Sequence, residues 1–542
     1  MGAAICVISL LKPGRSFVRV VAFVTCGAAG AVTEAEAVPT DRGAAGRETS
    51  EREDSPYAFD AICADSFSAE VWGRRSSVLG AEAGDLFRLA DLVQALSGAN
   101  ASLQSVGGSA TSSHTMSVSP QPKRQPGSLM DFFRNSTLVV SGLETMLPQL
   151  AAWSRSFARS FGVTTETTLY LSPPGTQALS LHNDKTDILA LQAFGKKKWS
   201  VWDLHGALAV PNDSGLELTE NPFRHVVTLS AEHAVPLEHL PRPAVEARMQ
   251  PGGLLYLPRG ALHVASTAGL TGSSAHLSIG ILTQSFSYAI AAFHLSAEQE
   301  MRERIAGAGW DTHRFRQALM RIVDDRVAGV EFRQSLPLGW VRSLASTHSS
   351  CPRQTTRREV GESVKNTLET LVGRVMLEAP EPPELPIRLS TGALHAVAGV
   401  FFHHLDKFDK EIEATLPSTR VDDFQILEFP PSLHVLYIAW NLDDYGAGEV
   451  EVRFSWCGQK KARMVGVAWP ASILPMLEAV ATSTTLQMDL ASLGAGSDPL
   501  PRIIFALELT KLPLNPPFRL LPRSKASEFR SLRDPDCGRS DL

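Results

Sequence analysis

Closely spaced cysteines are missing from this chain of 542 residues. Its six cysteines form no Cys-x-x-Cys pair and lie far apart, at Cys6, Cys26, Cys63, Cys351, Cys457 and Cys537. Structural zinc sites and disulfide frameworks use cysteines at short, regular spacings. The sequence therefore predicts neither, and this cysteine usage fits a reducing compartment best.

An excess of positive charge and a long apolar run are missing as well. The 51 lysines and arginines are outnumbered by 57 acidic residues, which gives a net charge of −6. Such a chain has no overall attraction to nucleic acid, so contact with a polyanion requires a local basic patch. The apolar run from Val20 to Val32 is too short to predict a membrane span, and no other stretch qualifies.

Residues 1–56 are predicted to form a leader followed by a disordered polar linker. Cations precede the apolar run, acids are absent until Glu34, and Ala35-Glu-Ala37 has the small residues of a cleavage site. This pattern is typical of a secretory or organellar targeting segment. The alternative is an alanine- and glycine-rich leader without a targeting role, and the sequence leaves both open.

The rest of the composition indicates a globular protein. Hydrophobic residues make up 44% of the chain and charged residues 20%. The length is a prior for roughly three or four domains. Apolar spacing predicts an amphipathic helix that buries Phe67 and Trp72, further helices at 146–161, at 288–305 and from about residue 390, and a hairpin at 448–469. From about residue 165 the pattern turns to strands, and the segment between residues 202 and 251 is polar enough to predict loops.

A His-x-Asp tripeptide lies in the stretch Leu179–Asp184. Alternate side chains of a strand point to the same face, so His182 and Asp184 are predicted to converge while Asn183 points away. Taken alone, such a tripeptide is more often part of a surface loop than of a metal site.

A third ligand is predicted at His263. It follows the strand-like run Leu254–Leu257 and a tight turn with Pro258 and Gly260, which is predicted to return the chain across the sheet. Two imidazoles and one carboxylate on one face of a metal leave the opposite positions open, as non-haem Fe(II) oxygenases need. The three residues together therefore predict an open iron site.

Lys197 is predicted to lie on the inner face of a strand. The mostly apolar run Asp187–Phe194 is typical of a buried strand, and Lys197, Trp199 and Val201 share one face of the strand that follows. Burying a lysine is costly unless an anion accompanies it. The neighbouring Lys196 and Lys198 are predicted to be solvated, and a solvated turn is the alternative for Lys197.

These segments resemble the JmjC-type, cupin-fold 2-oxoglutarate oxygenases, and within them the ribosomal oxygenase branch. That branch has a Y-x-T-P-x-G-S-Q-G segment before H-Y-D, then Q-x-x-G-x-K-x-W and P-G-D-x-L-Y-x-P-R-G-x-x-H. The matching residues are Tyr170, Pro173, Gly175, Gln177, His182, Asp184, Gln192, Gly195, Lys197, Trp199, Pro251, Gly252, Leu255, Tyr256, Pro258, Arg259, Gly260 and His263.

The resemblance implies an α+β fold built on a double-stranded β-helix, the jelly-roll barrel of cupins. Its catalytic domain would cover residues 57–285, and a helical region at 286–345 with an R-x-x-L-P signature would pair two copies as a homodimer. Residues 346–390 are predicted to be a linker and helix, 391–520 a winged-helix-like domain, and 521–542 a tail. The mixed charges of the winged-helix-like domain argue against direct DNA binding.

The resemblance also assigns roles at the site. His182, Asp184 and His263 would hold Fe(II), and Lys197 would anchor the far carboxylate of 2-oxoglutarate, with dioxygen as the second co-substrate. Tyr170, Thr168 and Ser278 would add hydrogen bonds. His276, on the strand of Ser278, is interpreted as a core histidine rather than a fourth ligand.

Three positions depart from the family pattern. Thr168 stands where an asparagine is usual, Gly253 replaces the aspartate of P-G-D, and Gly280 stands where a serine is common. These departures leave the three predicted iron ligands intact and bear on co-substrate affinity and substrate choice.

Three functions compete. The resemblance favours hydroxylation of a histidine in a ribosomal protein, in the nucleus or nucleolus. The second is demethylation of histone lysines by the same oxidation applied to an N-methyl group. The third is a cupin scaffold that has lost turnover.

Overall fold

The computed structural model describes part of the chain, in two units. The described residues are 5–10, 18–23, 62, 66–79, 86–98, 103–106, 108–109, 125–179, 181–184, 186–203, 242–325, 328–344, 357–384, 386–415, 424–428, 433–439, 449–456, 465–483, 487–493, 498–514 and 517–522. The larger unit is formed by residues 56–421, and the smaller unit by residues 1–55 together with 422–542.

An antiparallel sheet of eight strands forms one wall of the larger unit. In spatial order its strands are Ser77–Leu79, Leu254–Leu257, Asp187–Phe194, Ser274–Ile281, Thr165–Ser172, Thr137–Ser141, Leu103–Val106 and Gln125–Pro126. The central strand Asp187–Phe194 is apolar and buried over most of its length, because its two faces contact protein rather than water. Its bounds are those predicted from the sequence.

A second antiparallel sheet forms the opposite wall. Its strands, in spatial order, are Val245–Met249, Lys197–Trp202, Leu262–Ser266, Thr176–Gln177 and Gly108–Ser109. Side chains from both sheets meet in one apolar core that contains Ile188, Ala190, Trp199, Val201, Met249, Leu255, Leu257 and Ala261. Burying each large side chain there stabilises the fold by about 1.5–3 kcal/mol. Two packed antiparallel sheets are the predicted jelly-roll arrangement.

Two predicted details of this barrel were wrong. The turn after Leu254–Leu257 does not return the chain across the same sheet but carries it to strand Leu262–Ser266 of the opposite sheet. Residues 245–249, predicted as loop, form a strand whose alternate side chains Val245, Ala247 and Met249 pack on the core. The remaining predicted loop, residues 204–241, lies outside the described residues.

Phe67 and Trp72 are buried, as predicted for the segment that opens the barrel. Phe67–Val71 forms one helical turn rather than a long helix. The ring centroids of Phe67 and Trp72 lie 5.1 and 5.8 Å from that of Tyr256, so this turn is fixed to a strand of the large sheet.

Gly195 connects the two walls at a point where no side chain fits. Its φ is +62°, and a Cβ atom there would overlap the carbonyl oxygen of Ser273. Gly195→Ala is therefore expected to lower the free energy of unfolding by more than about 3 kcal/mol, measured by urea unfolding. Gly175→Ala is the matched control, because Gly175 also has a positive φ, of +70°, but an added Cβ would meet nothing within 4 Å. Equal losses in the two variants would contradict the steric explanation.

Helices pack outside the barrel. Leaving out 3₁₀ helices and the turn Phe67–Val71, the described helices of four or more residues in the larger unit are Leu89–Gly98, Pro148–Phe161, Tyr288–Leu295, Gln299–Gly307, Thr312–Asp324, Val330–Arg333, Trp340–Ser343, Arg357–Met376 and Thr391–Thr415. The amphipathic helix predicted at 146–161 is confirmed, and the helical pattern predicted at 288–305 is divided into two helices. Within the described residues no helix combines the length and apolar character needed to cross a bilayer.

The predicted homodimer region contains a buried arginine. Arg333, of the R-x-x-L-P signature, donates from Nη1 to the carbonyl oxygens of Val323 and Asp325. These carbonyls lie at the C-terminal end of helix Thr312–Asp324, where backbone acceptors lack helical partners. The signature therefore has a structural role within one copy of the chain, and pairing of two copies stays a prediction.

Helix Thr391–Thr415 belongs to the larger unit. The ring centroid of Phe401 lies 5.3 Å from that of Phe286 and 6.0 Å from that of Trp340. The winged-helix-like domain was predicted to begin at residue 391, whereas the two units divide between residues 421 and 422. Helical periodicity predicted the helix and not the surface on which it packs.

The described residues of the smaller unit form two sheets. One has strands Ile5–Leu10, Val18–Phe23, Leu433–Ala439, Glu449–Trp456 and Val465–Pro470, and the other has Gln487–Asp489, Phe424–Glu428 and Arg519–Pro522. The hairpin predicted at 448–469 is confirmed by pairing of Glu449–Trp456 with Val465–Pro470. Helices Leu474–Thr482 and Pro499–Thr510 complete it. The first two strands lie in the predicted leader, and a winged-helix identity stays a prediction.

Candidate metal centre and co-substrate pocket

Backbone pairing brings the predicted metal ligands together. His182 and His263 form a two-residue bridge in which each amide N–H donates to the carbonyl oxygen of the other, at 3.2 and 2.8 Å. The amide of Gly260 donates to the carbonyl oxygen of Asp184 at 2.9 Å. Backbone hydrogen bonds thus join the His-x-Asp segment both to His263 and to the tight turn that precedes it.

The three side chains converge as a metal site requires. One ligand atom from each of His182, Asp184 and His263 lies within 4.8 Å of the others. Nε2 of His263 is 3.5 Å from one carboxylate oxygen of Asp184, and Nε2 of His182 is 3.9 Å from the other. Two nitrogen donors and one oxygen donor are a set that suits Fe(II) with open positions.

His263 is held in the form that binds a metal. Its Nδ1 lies 3.0 Å from the carbonyl oxygen of Ala261, a contact that places the ring proton on Nδ1 and leaves Nε2 free to bind. Burial, with a smaller contribution from the charge of His182, lowers the pKa of His263 to about 4. A neutral imidazole is the form that a metal ligand requires.

The turn that precedes His263 is fixed by a residue that the sequence analysis did not single out. The buried carboxylate of Asp187 accepts a hydrogen bond from the amide of Arg259, beside Gly260. Burial raises the pKa of Asp187 to about 6, and the amide of Arg259 opposes that shift. The only sequence signal was an acidic residue at the start of an otherwise apolar strand.

A single cavity reaches the three converging side chains and three of the four residues predicted to bind 2-oxoglutarate. Tyr170, Lys197 and Ser278 line it, together with Ala178, Leu179, His182, Asp184, Trp199, His263, Ala265 and His276. Asp184 is the most open of the three predicted ligands, with 37% of its side chain exposed. The cavity therefore opens beside the carboxylate.

Thr168 is the exception among the four. It does not line the cavity, and its hydroxyl donates to Oγ of Ser141 at 3.3 Å. It is nevertheless paired across the sheet with Ser278, so the two positions are neighbours. Gly253 and Gly280, the other departures from the family pattern, also lie outside the cavity lining.

Lys197 is a buried amine among neutral partners. Only 1% of it is exposed, and Nζ lies 2.9 Å from Oγ of Ser172 and 3.3 Å from Nδ1 of His276. None of the ion pairs among the described residues includes it. Burial lowers the pKa of Lys197 to about 7. An anion bound in the cavity would restore its charge, because an opposite charge favours the ionised form.

Aromatic rings surround this amine and the predicted metal ligands. Tyr170 stacks on His276 with a ring separation of 5.0 Å, and Trp199 meets the edge of His276 at 5.4 Å. Trp199 also lies nearly parallel to His263, at 6.0 Å. The strand alternation that placed Lys197 and Trp199 inside also places Ser172 on the face of Tyr170, but nothing in the sequence indicated its contact with Lys197.

Comparison with known proteins agrees with this geometry. Residues 146–288 match the family model described as JmjC domain. These residues form a JmjC domain. The matched segment contains every residue that lines the cavity. The predicted cupin fold is therefore confirmed.

Curated relatives match part of the chain. The chain is 30% identical to ribosomal oxygenase 2 of Bos taurus over 120 residues, which cover 22% of this chain and 21% of that protein. It is 27% identical to the bifunctional lysine-specific demethylase and histidyl-hydroxylase NO66 of Aedes aegypti over 124 residues, which cover 23% of this chain and 17% of that protein. The matches thus span about a fifth of each relative's length.

A solved ribosomal oxygenase also aligns with this chain. It is YcfD from Escherichia coli, solved in complex with cobalt and 2-oxoglutarate. The alignment covers 84% of this chain and 97% of YcfD, at 13% identity and a TM-score of 0.28.

Proposed function

We propose that this chain is an Fe(II)- and 2-oxoglutarate-dependent protein oxygenase that hydroxylates a histidine of a ribosomal protein. The reaction consumes dioxygen and 2-oxoglutarate and gives succinate, carbon dioxide and the hydroxylated side chain. One oxygen atom of dioxygen enters succinate and the other enters the substrate, so atoms and electrons balance without a further reductant.

One observation carries this proposal. The cavity that opens on His182, Asp184 and His263 also contains Lys197, whose described polar contacts are a hydroxyl and an imidazole. A buried amine beside a three-ligand site suits a ligand with a metal-binding end and a distant negative charge. The 2-oxo acid end and the far carboxylate of 2-oxoglutarate are such a pair.

The residues of the chain divide the work. His182, Asp184 and His263 would hold the metal, and iron bound there would supply the activation of dioxygen. Lys197 would pair with the far carboxylate, and Tyr170 and Ser278, which also line the cavity, would donate further hydrogen bonds. Thr168 supports Ser278 from the neighbouring strand. Trp199, which is buried with its ring 6.0 Å from that of His263, would keep water away from the metal.

The similarity of part of this chain to ribosomal oxygenase 2 supports a ribosomal-protein substrate. The second candidate is histone lysine demethylation, which similarity to the Aedes aegypti lysine-specific demethylase and histidyl-hydroxylase favours. There the same oxidation of an N-methyl carbon gives an unstable alcohol that releases formaldehyde. The two functions require the same cavity and differ in the peptide that enters it.

Assembly and location complete the proposal. Residues 286–345 would pair two copies of the chain as a homodimer, and the protein would act in the nucleus or nucleolus, as the family resemblance implies. The predicted leader favours an organelle or the secretory pathway instead. A fluorescent fusion with and without residues 1–40 distinguishes these locations. If residues 1–40 are a targeting segment, removing them changes where the fusion protein is found.

The deciding experiment uses the full-length chain with Fe(II), 2-oxoglutarate and dioxygen. Histidine-containing ribosomal-protein peptides and methylated histone peptides are supplied separately, and succinate is measured with peptide mass. Gain of one oxygen atom on a histidine supports the hydroxylase, and loss of methyl groups with formaldehyde supports the demethylase. Absence of succinate with every peptide, and without peptide, would overturn the oxygenase proposal in favour of an inactive scaffold.

A further inference from the structure

The amine of Lys197 is held from two sides. Nζ donates to Oγ of Ser172 at 2.9 Å and lies 3.3 Å from Nδ1 of His276. An ammonium group has three N–H donors and no acceptor. With two donors engaged, the third is left for a ligand in the cavity that Lys197 lines.

Ser172 is itself committed as an acceptor. Its Oγ receives hydrogen bonds from both Lys197 and Thr137, at 2.9 and 3.1 Å. A hydroxyl oxygen has two acceptor lone pairs, so this oxygen has no capacity to take over another N–H of Lys197. His276 is therefore the acceptor on which the orientation of the remaining N–H depends.

The ring of His276 is fixed in a neutral form. It is 4% exposed, stacks on Tyr170 with an interplanar angle of 11°, and meets Trp199 at 87°. Burial, followed by the charges of Lys197 and His263, moves the pKa of His276 well below its usual value. With Nδ1 accepting from the ammonium, the ring proton resides on Nε2.

We infer that His276 is a positioning residue that directs the Lys197 ammonium at the far carboxylate of the bound 2-oxo dicarboxylic acid. It acts through Lys197 and does not touch the metal ligands' donor atoms. The inference rests on the proposed function, and it assigns the preference for a 2-oxo acid with a far carboxylate to a residue that sequence patterns indicate only as core.

The test measures binding rather than turnover. Full-length protein loaded with Mn(II) is titrated by calorimetry with 2-oxoglutarate and with 2-oxobutyrate, which keeps the metal-binding end and lacks the far carboxylate. His276→Leu removes the acceptor and is expected to weaken 2-oxoglutarate binding about tenfold or more, since a hydrogen bond to a charged group has about that effect. Binding of 2-oxobutyrate and of Mn(II) is expected to stay unchanged.

Two amide variants make the test specific for Nδ1. His276→Asn places an acceptor oxygen near the position of Nδ1 and is expected to retain the preference for 2-oxoglutarate. His276→Gln places its oxygen near the position of Nε2 and is expected to lose that preference, as His276→Leu does. If His276→Leu fails to fold, this pair decides, because both variants keep a polar amide in the same space.

The control is His294, a half-buried histidine of the same unit that lies on helix Tyr288–Leu295 and outside the cavity lining. His294→Leu is expected to leave both affinities unchanged. An unchanged preference for 2-oxoglutarate in His276→Leu and His276→Gln would overturn the positioning role alone. A wild-type protein with no preference between the two acids would instead overturn the co-substrate assignment, and the positioning role with it.

Discussion

Replacing Asp184 by alanine is expected to abolish succinate formation. Asp184 supplies the one carboxylate among the three converging side chains, and its oxygens lie 3.5 and 3.9 Å from the two imidazole nitrogens. Removing it leaves two neutral donors without the negative charge that balances a divalent cation. The loss is expected to exceed the roughly tenfold to hundredfold effect of altering groups outside the ligand set.

Two readouts separate loss of metal from loss of fold. Calorimetric titration with Mn(II) is expected to show no binding to Asp184→Ala, while its thermal unfolding midpoint in metal-free buffer stays near that of the wild type, because the side chain is 37% exposed and has no apolar packing role. Asn183→Ala is the matched control from the same tripeptide. Asn183 does not line the cavity, and its side-chain amide makes one long contact, 3.5 Å, with the carbonyl of Gly260. Normal turnover by Asp184→Ala would refute the ligand assignment.

Replacing Lys197 by methionine is expected to raise the 2-oxoglutarate concentration needed for half-maximal turnover by about a hundredfold. The substitution keeps the length of the side chain and removes the charge that pairs with the far carboxylate, and a charge-assisted contact in a buried site has about that effect. Affinity for Mn(II) is expected to stay unchanged, because Lys197 is not among the three converging ligands.

The fold of this variant is expected to survive or to gain stability. A buried ammonium with neutral partners carries a desolvation cost that a methionine does not. The matched control is Lys198→Met, the neighbouring residue on the exposed face of the same strand, for which the 2-oxoglutarate requirement is expected to be that of the wild type. An unchanged requirement in Lys197→Met would remove the anchor from the proposal.

The pH dependence of binding follows from the same amine. Burial lowers the pKa of Lys197 to about 7 in the free protein, and a bound carboxylate raises it again. Below pH 7 the amine is already charged and affinity is at its maximum. Above pH 7 binding requires uptake of one proton, so affinity is expected to fall by up to about tenfold per pH unit. In Lys197→Met this dependence is expected to disappear, and calorimetry between pH 6 and 9 checks it.

The convergence of His182 with Asp184 shows how far local pattern extends. Alternation along the chain placed the two on one side, and the structure has them there although only His182 takes part in a β-bridge. The apolar run predicted the bounds of the central strand Asp187–Phe194. Alternation along the next strand predicted that Lys197 is buried. In each case one short segment contained the whole signal.

Other features of the fold depended on contacts between distant segments of the chain, which the sequence pattern does not predict. Strand Val245–Met249 was predicted as loop, because its side chains alternate only between half-buried and exposed over most of its length. Its inner face is defined by packing against the core between the sheets. Helix Thr391–Thr415 was predicted from its periodicity, yet its assignment to the larger unit rests on contacts of Phe401 with residues more than 60 positions earlier. Periodicity indicates which face of a helix is apolar, but it does not indicate the element against which that face packs.

The site divides in the same way. Residue types and spacing along the chain determined its chemistry: two imidazoles, a carboxylate and a lysine of inward parity. The tertiary structure decided which neighbours hold those groups. Ser172 and His276 contact the amine of Lys197, and Asp187 accepts a hydrogen bond from the turn before His263. The physical reason is that alternation is a property of one strand. The register of Ser274–Ile281 against Thr165–Ser172 instead depends on pairing between two strands that are about a hundred residues apart in the sequence. That register alone brings His276 beside Tyr170.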